Sequence, residues 1–308
     1  MTLISVVLPV NDGVAPYLRN CLDSILARPA FGDFEVVAVD ASLDGSGEIL
    51  DEYALRYPAL RVEHLDPGAG TAHGVGFELA KGEYIWWMDG GDALLPWALD
   101  AVSAALSSSD LLLVGYTRDA WPMVLPPTPP TFTAAECPAV FSFPHGAWSR
   151  VIRRELVGRA GFPFHPGWYS DVSLTYPLTV AAQRISVLRR VCYQHRVRHP
   201  DTASERHFEV FDQYERVFAT LDRWGVDAFA TDAVRRYIFD RMVWHLPRVL
   251  ERAAPGRQRA FFTRMSEHYQ RFQPAHSRIR RSARTALKHR LIKTDSWRTY
   301  RALKPHLS

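Results

Sequence analysis

Cysteine is scarce in this 308-residue chain, and Cys21, Cys137 and Cys192 are odd in number and scattered. No CxxC pair or metal-ligand spacing links them, which argues against a disulfide framework and predicts a reduced, cytosolic protein. Long hydrophobic runs are missing as well: no stretch approaches the roughly 18 to 20 apolar residues of a membrane span. The opening MTLISVVLPV lacks the basic flank and cleavage pattern of a signal peptide. No Gly-Lys-Ser or Gly-Lys-Thr occurs, and Gly68, Gly70, Gly74 and Gly76 do not follow the first strand of a βαβ unit, so a P-loop and a dinucleotide fingerprint are both disfavoured. Acids are nearly absent from one region, Arg271 to Lys304, which is dense in Arg and Lys with Asp295 as its only carboxylate.

What remains is the composition of a globular enzyme, 47% hydrophobic and 23% charged, with a formal charge of +4 concentrated in that basic tail. The apolar run Ile4 to Val10 reads as a strand buried on both faces. Tyr17, Leu18, Cys21, Leu22, Ile25 and Leu26 then recur at helical spacing, and Phe34 to Val39 forms a second strand closing on Asp40. Asp44, Gly45 and Ser46 open another helix, Leu60 to His64 reads as a strand, Gly74 to Ala80 as a helix, and Tyr84 to Met88 as a strand that stops at Asp89. This alternation predicts a mostly parallel sheet covered on both faces. Its ligand crevice lies at the carboxyl ends of the strands, where Pro9 to Asp12, Asp40 to Asp44 and Asp89 to Asp92 all fall. Any one such loop is explained by ordinary turn chemistry; three acid-bearing loops on one edge favour a site.

Further along, the proline-rich stretch Trp121 to Pro138 reads as a surface loop, crossover or lid. His145 to Leu156 looks helical, and Trp168 to Ala182 holds a helix beginning near Ser170 and Asp171, where the positive end of the helix dipole favours a carboxylate. Trp86 and Trp87 belong to the core, whereas Trp148, Trp168 and Tyr169 are candidates to bind an acceptor substrate through their flat faces, with ordinary packing as the alternative. Beyond His207 the spacing is helical to the end. In the tail, Ile279, Ala283, Ala286, Leu287 and Leu291 against Arg280, Arg281, Arg284, Lys288 and Arg290 describe a basic amphipathic helix. Residues 277–304 would either touch an anionic membrane or pack on their own domain. No nucleic-acid-reading motif accompanies the charge.

The blocks ISVVLPV, YLRNCLDSIL, FEVVAVD, LDGSGEILDEYA, GFELAKGEYIWWMDGGD and GWYSDV, in this order and spacing, resemble the inverting glycosyltransferases of family 2. A narrower likeness, in AWSRVIRREL, YPLTVAAQRISVLRRVCYQHR and HFEVFDQYERVFATLD, is to actinobacterial transferase domains that accompany teichoic-acid-type glycerophosphate polymerases. The resemblance implies an α/β, Rossmann-like GT-A fold with a mostly parallel mixed sheet over 1–205. Within it, 1–115 would be the nucleotide-binding half and 139–205 the acceptor-side half, with a helical region over 206–308. It implies transfer of a sugar from a nucleotide donor, UDP-linked, to a hydroxyl of a cell-wall or capsular polymer.

On the same resemblance, Asp40 reads the uracil or ribose, and Pro9, Asn11 and His73 complete the nucleotide-sugar site. Asp89 opens the family's Asp-x-Asp motif and faces the ribose and a divalent Mg²⁺ or Mn²⁺; Asp92, outside the motif, is the candidate to substitute as second ligand because Gly90 and Gly91 let the turn swing its carboxylate inward. Asp171 is the general base. The chain departs from the pattern in placing Gly91 at the second motif acid, His73 where an Arg is common, and Ser170 before the base. Asp92 has a competing reading as the cap of a helix starting near Leu94, and His195 one as a late diphosphate or metal contact. Two other functions stay open: a degenerate fold that binds without catalysing, and redeployment in a specialised pathway.

Overall fold

The structure is a computed structural model that describes residues 2–27, 34–66, 71–106, 108–118, 121–123, 127–161, 163–196, 204–224, 232–274 and 282–307. Gly68, Gly70, Ile279, Arg280 and Arg281 lie outside the described residues. Two compact units emerge: residues 1–137, 143–166 and 181–198 form the first, and 138–142, 167–180 and 199–308 the second.

In chain order the first unit carries β1 (Ile4–Val10), α1 (Ala15–Leu26), β2 (Phe34–Asp40), α2 (Ser46–Arg56), β3 (Leu60–His64), α3 (Ala72–Leu79) and β4 (Tyr84–Trp87). There follow β5 (Ala93–Leu94), α4 (Ala98–Leu106), β6 (Leu111–Arg118), β7 (Trp121–Met123), β8 (Arg150–Arg153) and α5 (Arg154–Arg159). Helix α6 (Ser170–Ala181) then opens the way to the long strand β9 (Ile185–His195). The strands make one mixed sheet in the order β3-β2-β1-β4-β8-β6-β9-β5, with β7 on the edge of β6.

Strand β1 lies between β2 and β4, all parallel, and every one of its residues is buried, as an unbroken apolar run requires. Pro9 fits inside this central strand for a simple reason. Pairing of β1 with β4 ends at Val7–Trp87, and Val7 O accepts the last bond on that side, from Met88 N at 2.9 Å. By strand alternation the donor that Pro9 lacks would point to the same side, past the end of the ladder. The sheet therefore opens at the carboxyl ends of β1 and β4, which is where a ligand crevice forms. Trp86 and Trp87 are buried, as expected of a central strand.

Three local expectations are corrected. His145 to Leu156 is a 3₁₀ turn (Ala147–Ser149), strand β8 and helix α5 rather than one helix. Val151 and Ile152 are β-branched and fully buried, and β8 bridges β4 and β6 antiparallel, so sheet pairing overrides the helical spacing. The stretch Trp121 to Pro138 is not all loop: Trp121–Met123 pairs at the sheet edge, where a strand tolerates Pro122, and Phe132 bridges Ile185. No helix starts near Leu94; Ala93–Leu94 is strand, paired antiparallel with β9.

The second unit holds α6, α7 (Glu209–Trp224), α8 (Asp232–Leu250), α9 (Gln258–Phe272), α10 (Ala283–Lys293) and α11 (Trp297–Leu303). Its core is aromatic: Phe211, Phe218, Phe239, Phe261 and Phe262 are almost fully buried, and the α7 positions spaced for one face, Phe211, Tyr214, Val217, Phe218 and Leu221, all point inward. All but the last residue of helix α6 falls in this unit. The tail expectation holds only in its last turns: α10 buries His289, Leu291 and Ile292, while Ala283, Ala286 and Leu287 are exposed. Among the described residues no helix is long and apolar enough to cross a membrane.

Candidate active site

The carboxyl ends of β1 and β2 are laced together. Asp12 Oδ1 accepts from Leu43 N at 2.6 Å, Asp44 Oδ2 accepts from Gly13 N, and Ala41 N donates to Val10 O at 2.9 Å. Burial works against the Asp44 charge, but hydrogen bonds from Ser46 and from Gly13 N hold its carboxyl below the usual range. Gly13 and Gly45 have φ of 87° and 84°, a region L side chains avoid, so these tight turns depend on glycine. Asn11, just before the first of these turns, is exposed.

Asp40 closes β2 and is 7% exposed. Its Oδ1 accepts from Ser42 N at 3.0 Å and Ser42 Oγ at 2.6 Å, while Oδ2 meets His64 Nδ1 at 2.9 Å. His64, at the end of β3, extends its Nε2 to Asp51 Oδ1 at 3.1 Å. Hydrogen bonds to Asp40 and then Asp51 raise the imidazole pKa above its ordinary 6.5. The cluster relies on Gly47: a Cβ there would lie 2.7 Å from Asp40 Oδ2 and 3.4 Å from the His64 ring.

Asp89 follows β4 in a turn closed by Asp92 N to Asp89 O at 3.0 Å, and its Oδ1 accepts from Gly91 N at 3.0 Å. Asp92, expected to share a cation, is 1% exposed and committed elsewhere. Pairing of Ala93 with Gln194 sets it beside the end of β9. There Oδ2 accepts from Tyr193 OH at 2.7 Å and from His195 Nδ1 at 3.0 Å, and Oδ1 accepts from Arg196 N at 2.9 Å. The Tyr193 hydroxyl also accepts from Asp89 N at 3.1 Å, tying both acids to one phenol. Burial, followed by the charges of Asp92 and Asp89, pushes this phenol well above its ordinary pKa, so it stays protonated. A carboxylate only accepts, so His195 donates through Nδ1, which leaves Nε2 as the ring atom turned away from Asp92. Trp148 stacks on both His195 and Tyr193, with centroids 4.7 and 5.1 Å apart, and meets Tyr116 edge-on. This expected acceptor residue thus belongs to the first unit and braces the Asp92 cluster.

His73 sits in the first turn of α3 at 6.5 Å from the Trp87 ring. Burial lowers its pKa to about 4, with Asp89 only partly opposing. At neutral pH it is uncharged, where the Arg common at this place would carry a permanent charge.

In the second unit Asp171 lies in the first turn of α6, and the loop before it is fixed by the start of α7. Glu209 Oε2 accepts from Trp168 N at 2.6 Å, the Tyr169 hydroxyl meets His207 Nδ1 at 2.8 Å, and the Arg206 guanidinium lies 5.0 Å over the Trp168 ring. Gly167 has φ 108° and a Cβ there would fall 2.6 Å from Glu209 Oε2; Tyr169 takes φ 64°, a strained choice for an aromatic residue. Trp168 and Tyr169 are thereby held rather than loose.

Sequence patterns bear on this geometry from outside. The family model described as glycosyl transferase family 2 matches residues 5–151. Those residues are a family 2 glycosyltransferase domain. The uncharacterized glycosyltransferase EpsJ of Bacillus subtilis is 26% identical over 259 residues, covering 77% of this chain and 74% of EpsJ. The glycosyltransferase GlyG of Streptococcus pneumoniae is 39% identical over 93 residues, 29% of this chain and 30% of GlyG. Among solved structures, S. aureus TarS 1–349 in complex with UDP-GlcNAc superposes with a TM-score of 0.73 at 17% identity, over 99% of this chain and 91% of that one. The mannosyltransferase PcManGT from Pyrobaculum calidifontis, in complex with GDP-Man and Mn²⁺, follows at 0.53 and 18% identity, covering 99% and 84%. The chain therefore has the GT-A fold, followed by a helical C-terminal region that lies beyond the residues the family model matches.

Sequence reasoning found the acids of this family 2 domain but missed most of what holds them. Tyr193 and His64 were not singled out as site residues, and Glu209, with His207 in the turn just before it, fixes the Asp171 loop from a region read only as packing.

Proposed function

We propose that this chain transfers a glycosyl group from a UDP-linked sugar to a hydroxyl of a cell-wall or capsular polymer intermediate, on the cytoplasmic side and with inversion at the anomeric carbon. The observation that carries the reading is the meeting of Pro9–Asp12, Asp40–Asp44 and Asp89–Asp92 at the ends of adjacent parallel strands, in a domain of family 2. Solved TarS complexes with UDP-GlcNAc and UDP lend it a donor class.

In this reading Asp40, steadied by Ser42 and His64, accepts from the uracil or ribose. Pro9 and Asn11 line the same floor, and His73 offers an uncharged contact near the diphosphate. No group of three or more His, Cys, Asp or Glu side chains among the described residues forms a metal cage. What fits is a divalent cation that arrives with the diphosphate, since Mg²⁺ is commonly held by one or two carboxylates plus phosphate oxygens. Asp89 and Nε2 of His195, its ring oriented by Asp92, are the groups that would hold such an ion, and when bound it would neutralise charge on the leaving diphosphate. Asp171 takes the proton of the attacking hydroxyl, a role worth about 10² to 10⁴ in rate. Trp168 and Tyr169 border that base and offer the acceptor an apolar face. A single displacement inverts the configuration.

The test is turnover of UDP-sugars with a polyol-phosphate acceptor by wild type and Asp171→Asn. The expected outcome is a fall in kcat of about 10² or more with UDP affinity unchanged. Full turnover by the variant would remove Asp171 from the reaction. The committed Asp92 and the neutral His73 favour a second reading, a module that binds the nucleotide sugar without transfer; binding without turnover in wild type would select it.

A further inference from the structure

Helix α8 is buried on most of its surface, and its outer line is narrow. Tyr237, Arg241, Trp244 and Arg248 recur at i, i+4, i+7 and i+11, which places them on one face. Tyr237 and Trp244 are 38% and 40% exposed. The guanidinium carbons of Arg241 and Arg248 lie 4.0 and 3.5 Å from the centroid of the Trp244 ring, so two cations are held against one exposed aromatic.

Helix α10 extends this surface. Each of residues 282–287 is exposed, including the aliphatic Leu287 at 39%. Lys288 lies within electrostatic reach of Arg248 and Arg284; burial first, then those two cations, lower its ammonium pKa, with Glu251 opposing. Along α10 and α11 cations outnumber acids, although α8 itself carries Asp232 and Asp240. Residues 282–307 contain seven Arg and Lys against Asp295 alone, and Arg259 holds both oxygens of Asp295 at 2.6 and 2.7 Å. Glu251 is itself paired to Lys304 at 3.1 Å.

We infer that this face of α8 and α10 docks on an anionic lipid bilayer, with Tyr237, Trp244 and Leu287 entering the headgroup layer and Arg241, Arg248, Arg284 and Lys288 meeting lipid phosphates. Trp and Tyr favour that layer because one end of each ring system is apolar and the other polar. Clustered basic residues near an anionic leaflet add attraction that fades within a Debye length. A soluble polyanion would answer the charge but leave Leu287 and the Trp244 edge in water, which is why the bilayer is the better occupant. The inference stands apart from donor chemistry, so neither fails with the other.

The experiment is cosedimentation of the full chain with vesicles of phosphatidylcholine alone and of phosphatidylcholine with phosphatidylglycerol, alongside brominated lipid to quench tryptophan emission. Binding is expected only to the anionic vesicles, weakening as salt rises. Arg284→Glu with Lys288→Glu should lower it at least about tenfold, and Trp244→Phe should remove most of the quenching while leaving the far-UV spectrum unchanged. Absence of binding to anionic vesicles would overturn the inference. So would full binding by the charge-reversed variant, quenching that survives Trp244→Phe, or inorganic polyphosphate binding the chain as tightly as the vesicles do.

Discussion

At the scale of single residues, the acids at the carboxyl ends of the strands are defined by their partners. His64 donates to Asp40 and Asp51 together only while its ring carries both protons; once neutral it keeps one N–H and can satisfy one carboxylate. Because the folded pKa is raised above 6.5, the stability this bridge contributes is fully present below pH 6.5 and is lost as pH rises through the folded value. His64 is half exposed, so solvent screening keeps the contribution small. The stability difference between wild type and His64→Ala, measured by urea unfolding from about pH 5.5 to 9, should shrink as pH increases. A difference that does not change with pH would show that the bridge is not formed. Asp40 was legible because an apolar run ended on it. Asp92 was not, because the Tyr193 hydroxyl that claims it comes 101 positions later, and only the pairing of β5 with β9 brings the two together.

At the scale of elements, α3 lies close against the sheet because it carries glycine where it meets β1. A Cβ on Gly76 would fall 2.3 Å from Val7 Cγ1 and 3.3 Å from Val39 Cγ2, both on core strands with no room to swing away. Gly76→Ala gains roughly 1 kcal/mol of helix propensity and sets against it an overpacking cost of about 1–3 kcal/mol. A net loss of up to about 2 kcal/mol in denaturant unfolding is expected; a stabilised variant would mean that α3 does not sit on β1 at this distance. The βαβ alternation from β1 to β4 was readable because buried parallel strands leave continuous apolar runs. Strand β8 was misread because it is short, sits between a turn and α5, and owes its conformation to β4 and β6, which no local periodicity reports.

At the scale of the whole molecule, charge and chemistry are separated along the chain. The donor-edge acids fall before residue 93, Asp171 opens a helix of the second unit, and the excess of Arg and Lys gathers after residue 271. The basic tail was visible in composition, but the apolar side expected of it was not what the fold uses: α10 keeps Leu287 outside, and the exposed aromatics of the second unit, Tyr237 and Trp244, come from α8. The account turns on the donor edge being a working nucleotide site. Calorimetric titration of UDP and UDP-sugars into wild type and Asp89→Ala, with and without Mn²⁺, tests that most directly. Binding strengthened by the cation, with that gain lost in Asp89→Ala, is the predicted result; no binding by wild type under either condition would contradict it.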